Sequence, residues 1–200
     1  MLLHEMLRDR RLLLASQSPR RRELLAASGI PYEPAPKYPC EEVYPAGTPA
    51  REVPLYLSRL KSEACPAALG PRDILLTADT VVVLGDRVLG KPAGRDEALA
   101  MLRSLSGARH TVVSGVTLRS AERTATFGAT TDVWFRPLTE EELVYYTDTF
   151  RPYDKAGAYG IQEWIGHAAI ERIDGSFYNV MGLPVQRLYV ELTRFLTSGK

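Results

Sequence analysis

The run Leu12 to Ala15 leads through Ser16, Gln17, Ser18 and Pro19 directly into Arg20, Arg21 and Arg22. Serine followed by proline is an ordinary helix start. Three cations in the first turn are not, because the positive end of the helix dipole costs each of them roughly 0.3–1 kcal/mol. Backbone N–H groups and hydroxyls gathered at a helix start bind phosphate, and arginine adds a two-pronged donor to the same anion. The stretch reads either as a phosphate cradle or as a solvated basic turn whose serines cap the helix. A second anomaly is Asp79, set within "LLTADTVVVL", the most apolar strand-like run of the chain. An ionised carboxylate there must be paired, hydrogen-bonded or metal-bound. Held by packing, it suits a general base or a metal ligand. Flanked by Thr77 and Thr80, it reads alternatively as a strand-end brace for a neighbouring loop.

Two further stretches carry cations. "GDRVLGK", Gly85 to Lys91, matches the first half of a nucleotide-binding P-loop, but Pro92 stands where Ser or Thr should hold magnesium and open a helix, so that reading fails. Lys91 is left either as a phosphate ligand beyond a hairpin turn or as an exposed hairpin lysine. "PYDKAGAYGIQ", Pro152 to Gln162, sets Asp154 and Lys155 before Gly157 and Gly160, with Gly166 further on, a pattern that lets backbone approach a ligand closely. Lys155 would pair with phosphate. Gln162 offers a donor and an acceptor for the edge of a base. A flexible surface loop is the competing account. Glu41 and Glu42, in a proline-rich stretch, read as partners of Asp79 on a divalent cation or as solvated charges. Tyr145, Tyr146 and Tyr159 suit stacking on a base or plain packing. His4, His110 and His167 fit no triad, no serine sits in a G-x-S-x-G elbow, and neither cysteine has a histidine partner, so nucleophilic catalysis has no support.

The elements that must hold these residues follow from periodicity. Leu12 to Ala15 reads as a buried strand and Pro19 to about Ser28 as a helix ended by Gly29. Six prolines in the 21 residues from Gly29 to Pro49 make a long irregular connection. A helix starts near Val53, where Pro54 falls in its first turn. "DILLTADTVVVLGD" predicts a central strand covered on both faces, and a helix follows from Asp96 to Ser106-Gly107. "HTVVSGVTLRS" and "TATFGATTDVWF" predict an antiparallel pair. Thr139 and Glu142 form a capping box for a helix to about Tyr146. "HAAIERI" and "FYNVM" flank a turn at Asp174-Gly175-Ser176, and Pro184 opens a last helix with one apolar face. Early alternation and later hairpins predict an α/β domain around a mixed sheet.

With 200 residues, 45% of them hydrophobic and 24% charged, the chain is sized for one domain. Its net charge of +1 gives no global reason to bind a polyanion, so nucleic acid is not expected as a partner. RNA binding through Arg8 to Arg22 also lacks aromatic-basic interleaving. Cys40 and Cys65 form neither a disulfide framework nor a zinc site, which suits a reducing, cytoplasmic setting. No run is long and apolar enough for a membrane helix, so no membrane partner is expected. Residues 1–10 read as an N-terminal extension, with Met6 as an alternative start, before a single domain over 11–200.

Taken in order, "LASQSPRRRELL", "TADTVV", "GKP", "LSGARHTVVSGV", "TDVWF", "DKAGAYGIQ" and "GSFYNVMGLP" resemble the Maf family of nucleoside triphosphate pyrophosphatases from about Leu12 to the C-terminal helix. The resemblance implies an α/β fold with a mixed twisted sheet flanked by helices and two lobes around a cleft, like inosine triphosphate pyrophosphatases. It implies a cytoplasmic enzyme, dependent on a divalent metal such as Mg2+ or Mn2+, that cleaves a nucleoside triphosphate to the monophosphate and pyrophosphate. "DKAGAYGIQ" points to the branch acting on dTTP and UTP. Asp79 matches the family's proton acceptor and Glu42 an acidic cleft position, and the two carboxylates are the expected metal ligands. Arg20, Thr80 and Gln162 match positions tied to substrate choice. Ser16, Lys61, Lys91 and Lys155 match polar and basic positions around the phosphates. Glu163 and Trp164 depart from the family's usual glycine and would reshape the base pocket. A homodimer is left open. The competing functions are a non-catalytic nucleotide-binding regulator of cell division and a pyrophosphatase for a modified nucleotide.

Overall fold

A computed structural model describes residues 2–198. In chain order the elements are α1 (Leu3–Met6), β1 (Arg11–Leu14), α2 (Pro19–Ala27), β2 (Glu33–Pro34), α3 (Val53–Ala64), β3 (Asp73–Leu84), β4 (Arg87–Leu89) and α4 (Arg95–Leu105). The second half runs β5 (Arg109–Arg119), β6 (Thr124–Phe135), α5 (Glu140–Phe150), a 3-10 turn (Ala156–Ala158), α6 (Trp164–Ala168), β7 (Ile170–Asp174), α7 (Phe177–Met181) and α8 (Val185–Thr197). The seven strands form one mixed sheet in the order β2-β1-β3-β5-β6-β7, with β4 also on β3. β1 runs parallel to both β2 and β3, while the β3–β4 and β6–β7 pairs are antiparallel. The expected α/β fold with a mixed sheet is therefore present.

The chain divides into two compact units, residues 1–79, 114–129 and 182–200 in one, and 80–113 and 130–181 in the other. β3, β5 and β6 each contribute to both. In the first unit, α3 lies directly on β5: a Cβ added at Gly115 would stand 2.2 Å from the Pro54 carbonyl oxygen, so only glycine permits that approach. Ser58 fixes the same helix further along, its hydroxyl 3.0 Å from that of Thr117 and its carbonyl accepting from Thr77 at 2.7 Å. The N-terminal segment belongs to this unit as packed structure, for Leu3 and Leu7 are buried and the Leu3 amide donates to Tyr189 of α8. The second unit is built around α4 and α5, whose Leu99, Leu102, Leu105, Leu143 and Tyr146 share one core with Val112 and Val133.

The local signals mostly produce the elements they predict. Pro19 opens α2 and Gly29, at φ +67°, follows its end. Thr139 and Glu142 close their capping box, yet α5 continues four residues beyond Tyr146 to Phe150. Two helices of five residues, α6 and α7, replace what periodicity leaves undefined between Trp164 and Met181. Among the described residues no helix is long and apolar enough to cross a membrane.

Candidate active site

Asp79 lies on β3, which stands between β1 and β5 in the sheet and is buried along nearly its whole length. Its side chain is only 10% exposed, and the partner that such burial demands is Lys61, whose Nζ donates to Asp79 Oδ1 at 2.6 Å. Lys61 sits in the last turn of α3, the helix pinned by Gly115 and Ser58. The same Nζ meets Glu42 Oε2 at 2.9 Å, so one ammonium joins two carboxylates, one buried and one half exposed. Tyr38 secures the incoming loop by donating its hydroxyl to the Lys61 carbonyl at 2.6 Å. The nearby Cys40 thiol has its pKa raised by burial, against the pull of Lys61.

The turn between β1 and α2 arranges its polar groups around Ser16. The Ser16 hydroxyl accepts from the Ser18 amide and from Arg21 Nη1, both at 3.2 Å, and Arg21 Nε donates to the Gly182 carbonyl at 2.8 Å. Burial lowers the Arg21 pKa, the carboxylates of Asp79 and Glu42 oppose that, and Arg20 reinforces it. Arg21 is thus tied into the structure and shares the field of the Asp79 and Glu42 carboxylates. Of the two readings of this stretch, the solvated basic turn does not describe Arg21, whose guanidinium is held by Ser16 and Gly182. Ser18 occupies the N-cap of α2, but its side chain makes no capping bond.

In the second unit, Lys155 is buried, with Nζ at 2.8 Å from Asp154 Oδ1 and 3.0 Å from Glu163 Oε1. Tyr146, fully buried on α5, donates its hydroxyl to Glu163 Oε2 and accepts from the Gly160 amide at 3.0 Å. Gln162 directly precedes Glu163, and its Oε1 is buried without a hydrogen-bond partner. Lys91 is exposed, while its neighbour Gly90 accepts from the Gly157 amide at 3.0 Å, which ties the "GKP" turn to the "DKAGAYGIQ" loop. The glycines of that loop, and Gly166 in α6 beyond it, serve the protein's own packing. An added Cβ would meet Val82 at 2.8 Å from Gly157, the Lys155–Glu163 pair at 3.0–3.1 Å from Gly160, and the Ile161 carbonyl at 1.7 Å from Gly166. Tyr146 and Tyr159 are likewise packed, against Phe150 and Trp164 in one case and against His110 and Phe135 in the other.

The expected site residues therefore fall into two groups. Ser16, Arg20, Glu42, Lys61 and Asp79 belong to the first unit, and Thr80, Lys91, Lys155 and Gln162 to the second. Within the first, Lys61 gathers Asp79 and Glu42 directly. Sequence reasoning missed the hydrogen-bonded role of Arg21 and the Tyr146–Glu163–Lys155 chain. The signal for the latter was present in Glu163 itself, an acidic residue where glycine was expected.

The comparisons agree with this arrangement of motifs. A family model described as Maf-like protein matches residues 11–195. A dTTP/UTP pyrophosphatase of Bacteroides thetaiotaomicron is 50% identical over 183 residues, covering 92% of this chain and 95% of that protein. One from Porphyromonas gingivalis is 50% identical over 195 residues, covering 96% and 98%. A solved HAM1 protein from Coxiella burnetii is 14% identical and covers 92% of this chain and 99% of its own, with a TM-score of 0.48. At that level the fold assignment rests on the chain's own strand order. With the family's model running from β1 to the last turns of α8 and half the residues shared with two of its relatives, the chain belongs to the Maf family.

Proposed function

We propose that the chain is a nucleoside triphosphate pyrophosphatase that hydrolyses dTTP and UTP to the nucleoside monophosphate and pyrophosphate. The observation that carries the reading is the Asp79 carboxylate, buried in a central strand and held at 2.6 Å by Lys61, in a chain half identical to dTTP/UTP pyrophosphatases. A binding protein without catalysis needs cations but has no use for a buried carboxylate.

The reaction needs a water oxygen to attack the α-phosphorus while the bond to the bridging oxygen breaks and pyrophosphate departs. Asp79 takes the proton from that water. Lys61 holds Oδ1 and so fixes where Oδ2 lies. Ser16 and Arg20, at the start of α2, and Lys91 and Lys155 bind phosphate oxygens, and Arg20 and Lys91 offset the charge on the departing pyrophosphate. Thr80 and Gln162 take part in substrate choice. The unpaired Gln162 Oε1 supports a role in reading the base edge, since a donor on the base would satisfy an acceptor otherwise left alone.

Asp79 and Glu42 suit a divalent cation as well, because both carboxylates already converge on a single positive charge, the Lys61 ammonium. Mg2+ or Mn2+ is commonly held by one or two carboxylates together with substrate phosphates. When bound, such an ion would neutralise phosphate charge and polarise the phosphoryl group.

The decisive assay measures pyrophosphate release from UTP, dTTP, CTP, ATP and GTP with and without Mg2+ or Mn2+. Asp79→Asn keeps the side-chain shape and removes the proton acceptor, so turnover should vanish while the circular dichroism spectrum is retained. A folded variant with wild-type turnover would falsify the role of Asp79, and dominance of a purine nucleotide would refute the assigned substrates.

A further inference from the structure

The loop from Lys155 to Glu163 is held in an unusual shape. Gly157 at φ +66° and the non-glycine Ala158 at φ +58° are two consecutive left-handed residues; glycine adopts that conformation freely, whereas at Ala158 it costs energy that the surroundings must offset. A continuous chain of hydrogen bonds within the second unit ties the loop's two ends together. The Gly160 amide donates to the Tyr146 oxygen, the Tyr146 hydroxyl donates to Glu163 Oε2, and Lys155 Nζ donates to Glu163 Oε1 at 3.0 Å. Both oxygens of one carboxylate are thereby committed, one toward the middle of the loop and one toward its cationic start.

The environment makes these commitments hard to exchange. The Tyr146 phenol is fully buried, and burial followed by its bond to Glu163 raises its pKa, so it remains a donor that requires an acceptor. Glu163 is 19% exposed and Lys155 10%, in contrast to Asp154, the second partner of Lys155, which is 56% exposed. A side-chain–solvent competition that weakens the Asp154 pair is therefore much reduced at Glu163. Gly160 is also required at the closure point, since a Cβ there would press on both Lys155 Cε and Glu163 Cδ. Trp164 packs at 5.1 Å from Tyr145 and 6.4 Å from Tyr146, which anchors the backbone immediately after Glu163 to α5.

We infer that Glu163 is a positioning residue that acts through Lys155: with Tyr146 as its second anchor, it sets the Lys155 ammonium in place for the substrate's phosphates. This rests on the proposed reading of Lys155 as a phosphate ligand. Glu163 does not itself meet the substrate. Its effect belongs to substrate binding, so it appears in KM and leaves the chemical step largely alone.

The test compares Lys155→Ala, Glu163→Gln, Glu163→Ala and the double variant Lys155→Ala/Glu163→Ala, with KM and kcat measured for UTP and folding checked by thermal melting. Glu163→Gln preserves shape but has one acceptor for two donors, so KM should rise about tenfold with kcat within about twofold, the cost of one charge-assisted bond. Glu163→Ala should raise KM further. The double variant should be no worse than Lys155→Ala alone, because a residue that works through Lys155 has nothing to position once the lysine is gone. A merely structural Glu163 would instead add its loss to that of Lys155→Ala, and that result overturns the inference. So does an unchanged KM in folded Glu163→Gln when Lys155→Ala raises it. If Lys155→Ala also leaves KM unchanged, the phosphate-ligand reading of Lys155 fails and the inference falls with it.

Discussion

Replacing Lys61 with methionine keeps most of the side chain's length and removes the ammonium that is hydrogen-bonded to Asp79. Lys61 Nζ lies 2.6 Å from Asp79 Oδ1, and the two side chains are 15% and 10% exposed, so the variant strands a carboxylate that water reaches poorly. Breaking a pair of this kind costs about 3 kcal/mol. Glu42, the other partner of the same ammonium, is 49% exposed, and loss of its pair should cost under about 1 kcal/mol. Urea denaturation followed by circular dichroism therefore has a clear ordering to find, with Lys61→Met well below wild type and Glu42→Gln close to it. The sign of the double variant is the sharper test. Asp79→Asn removes the stranded charge, so adding it to Lys61→Met should recover stability, although each change alone removes a member of a pair. If Lys61→Met lies within about 0.5 kcal/mol of wild type, or if the two losses add, the pair is not the buried, mutually dependent contact described above.

Three further outcomes follow from other parts of the molecule. Burial holds the His110 imidazole at a pKa of about 4, against the opposing effect of Asp132, while the unfolded chain titrates near ~6.5. The unfolded state thus binds the proton first as pH falls. Stability is complete above about pH 6.5 and declines toward pH 4, by about 3 kcal/mol from this residue. His110→Gln should flatten that window in denaturation curves taken at several pH values, and an unaltered slope would show that the acid sensitivity arises elsewhere. Gly115→Ala would place a methyl group 2.2 Å from the Pro54 carbonyl oxygen. It should cost about 3 kcal/mol or more, or prevent soluble expression, because backbone on both sides must shift; a wild-type melting temperature would contradict the packing of α3 on β5. Arg21→Met should weaken nucleotide binding and lower the melting temperature together, since its guanidinium holds both Ser16 and the Gly182 carbonyl. Unchanged values for both would leave those bonds without consequence.

Asp79 marks the boundary between what is legible in the sequence of the site and what is not. A single charge inside a run of aliphatic residues is costly wherever the strand lies, so its need for a partner follows from composition alone. The identity of the partner does not. Lys61 is 18 residues upstream on a different element, and its approach depends on how Gly115 and Ser58 seat α3. The arginines of α2 illustrate the same limit. Proline fixes the helix start, but which arginine turns inward depends on the Gly182 carbonyl, 161 residues away. For Glu163, the departure from glycine marks the position, while its function depends on Tyr146 projecting from α5 onto a loop with two left-handed residues. Helices α6 and α7 leave no mark in the sequence because five residues are too few for a 3.6-residue period to declare itself.

The Tyr38 hydroxyl, which takes no part in the chemistry, still has a consequence for how this chain tolerates change. It moors the proline-rich connection to the Lys61 carbonyl, one of the helix-end acceptors that α3 cannot satisfy internally. Glu42 lies four residues beyond that mooring, and the stretch from 43 to 52 lies beyond Glu42. Insertions or deletions there can drift in length at little entropic cost, since loop closure depends only weakly on the number of residues. The acidic residue stays beside its lysine while the sequence downstream of it is free to vary.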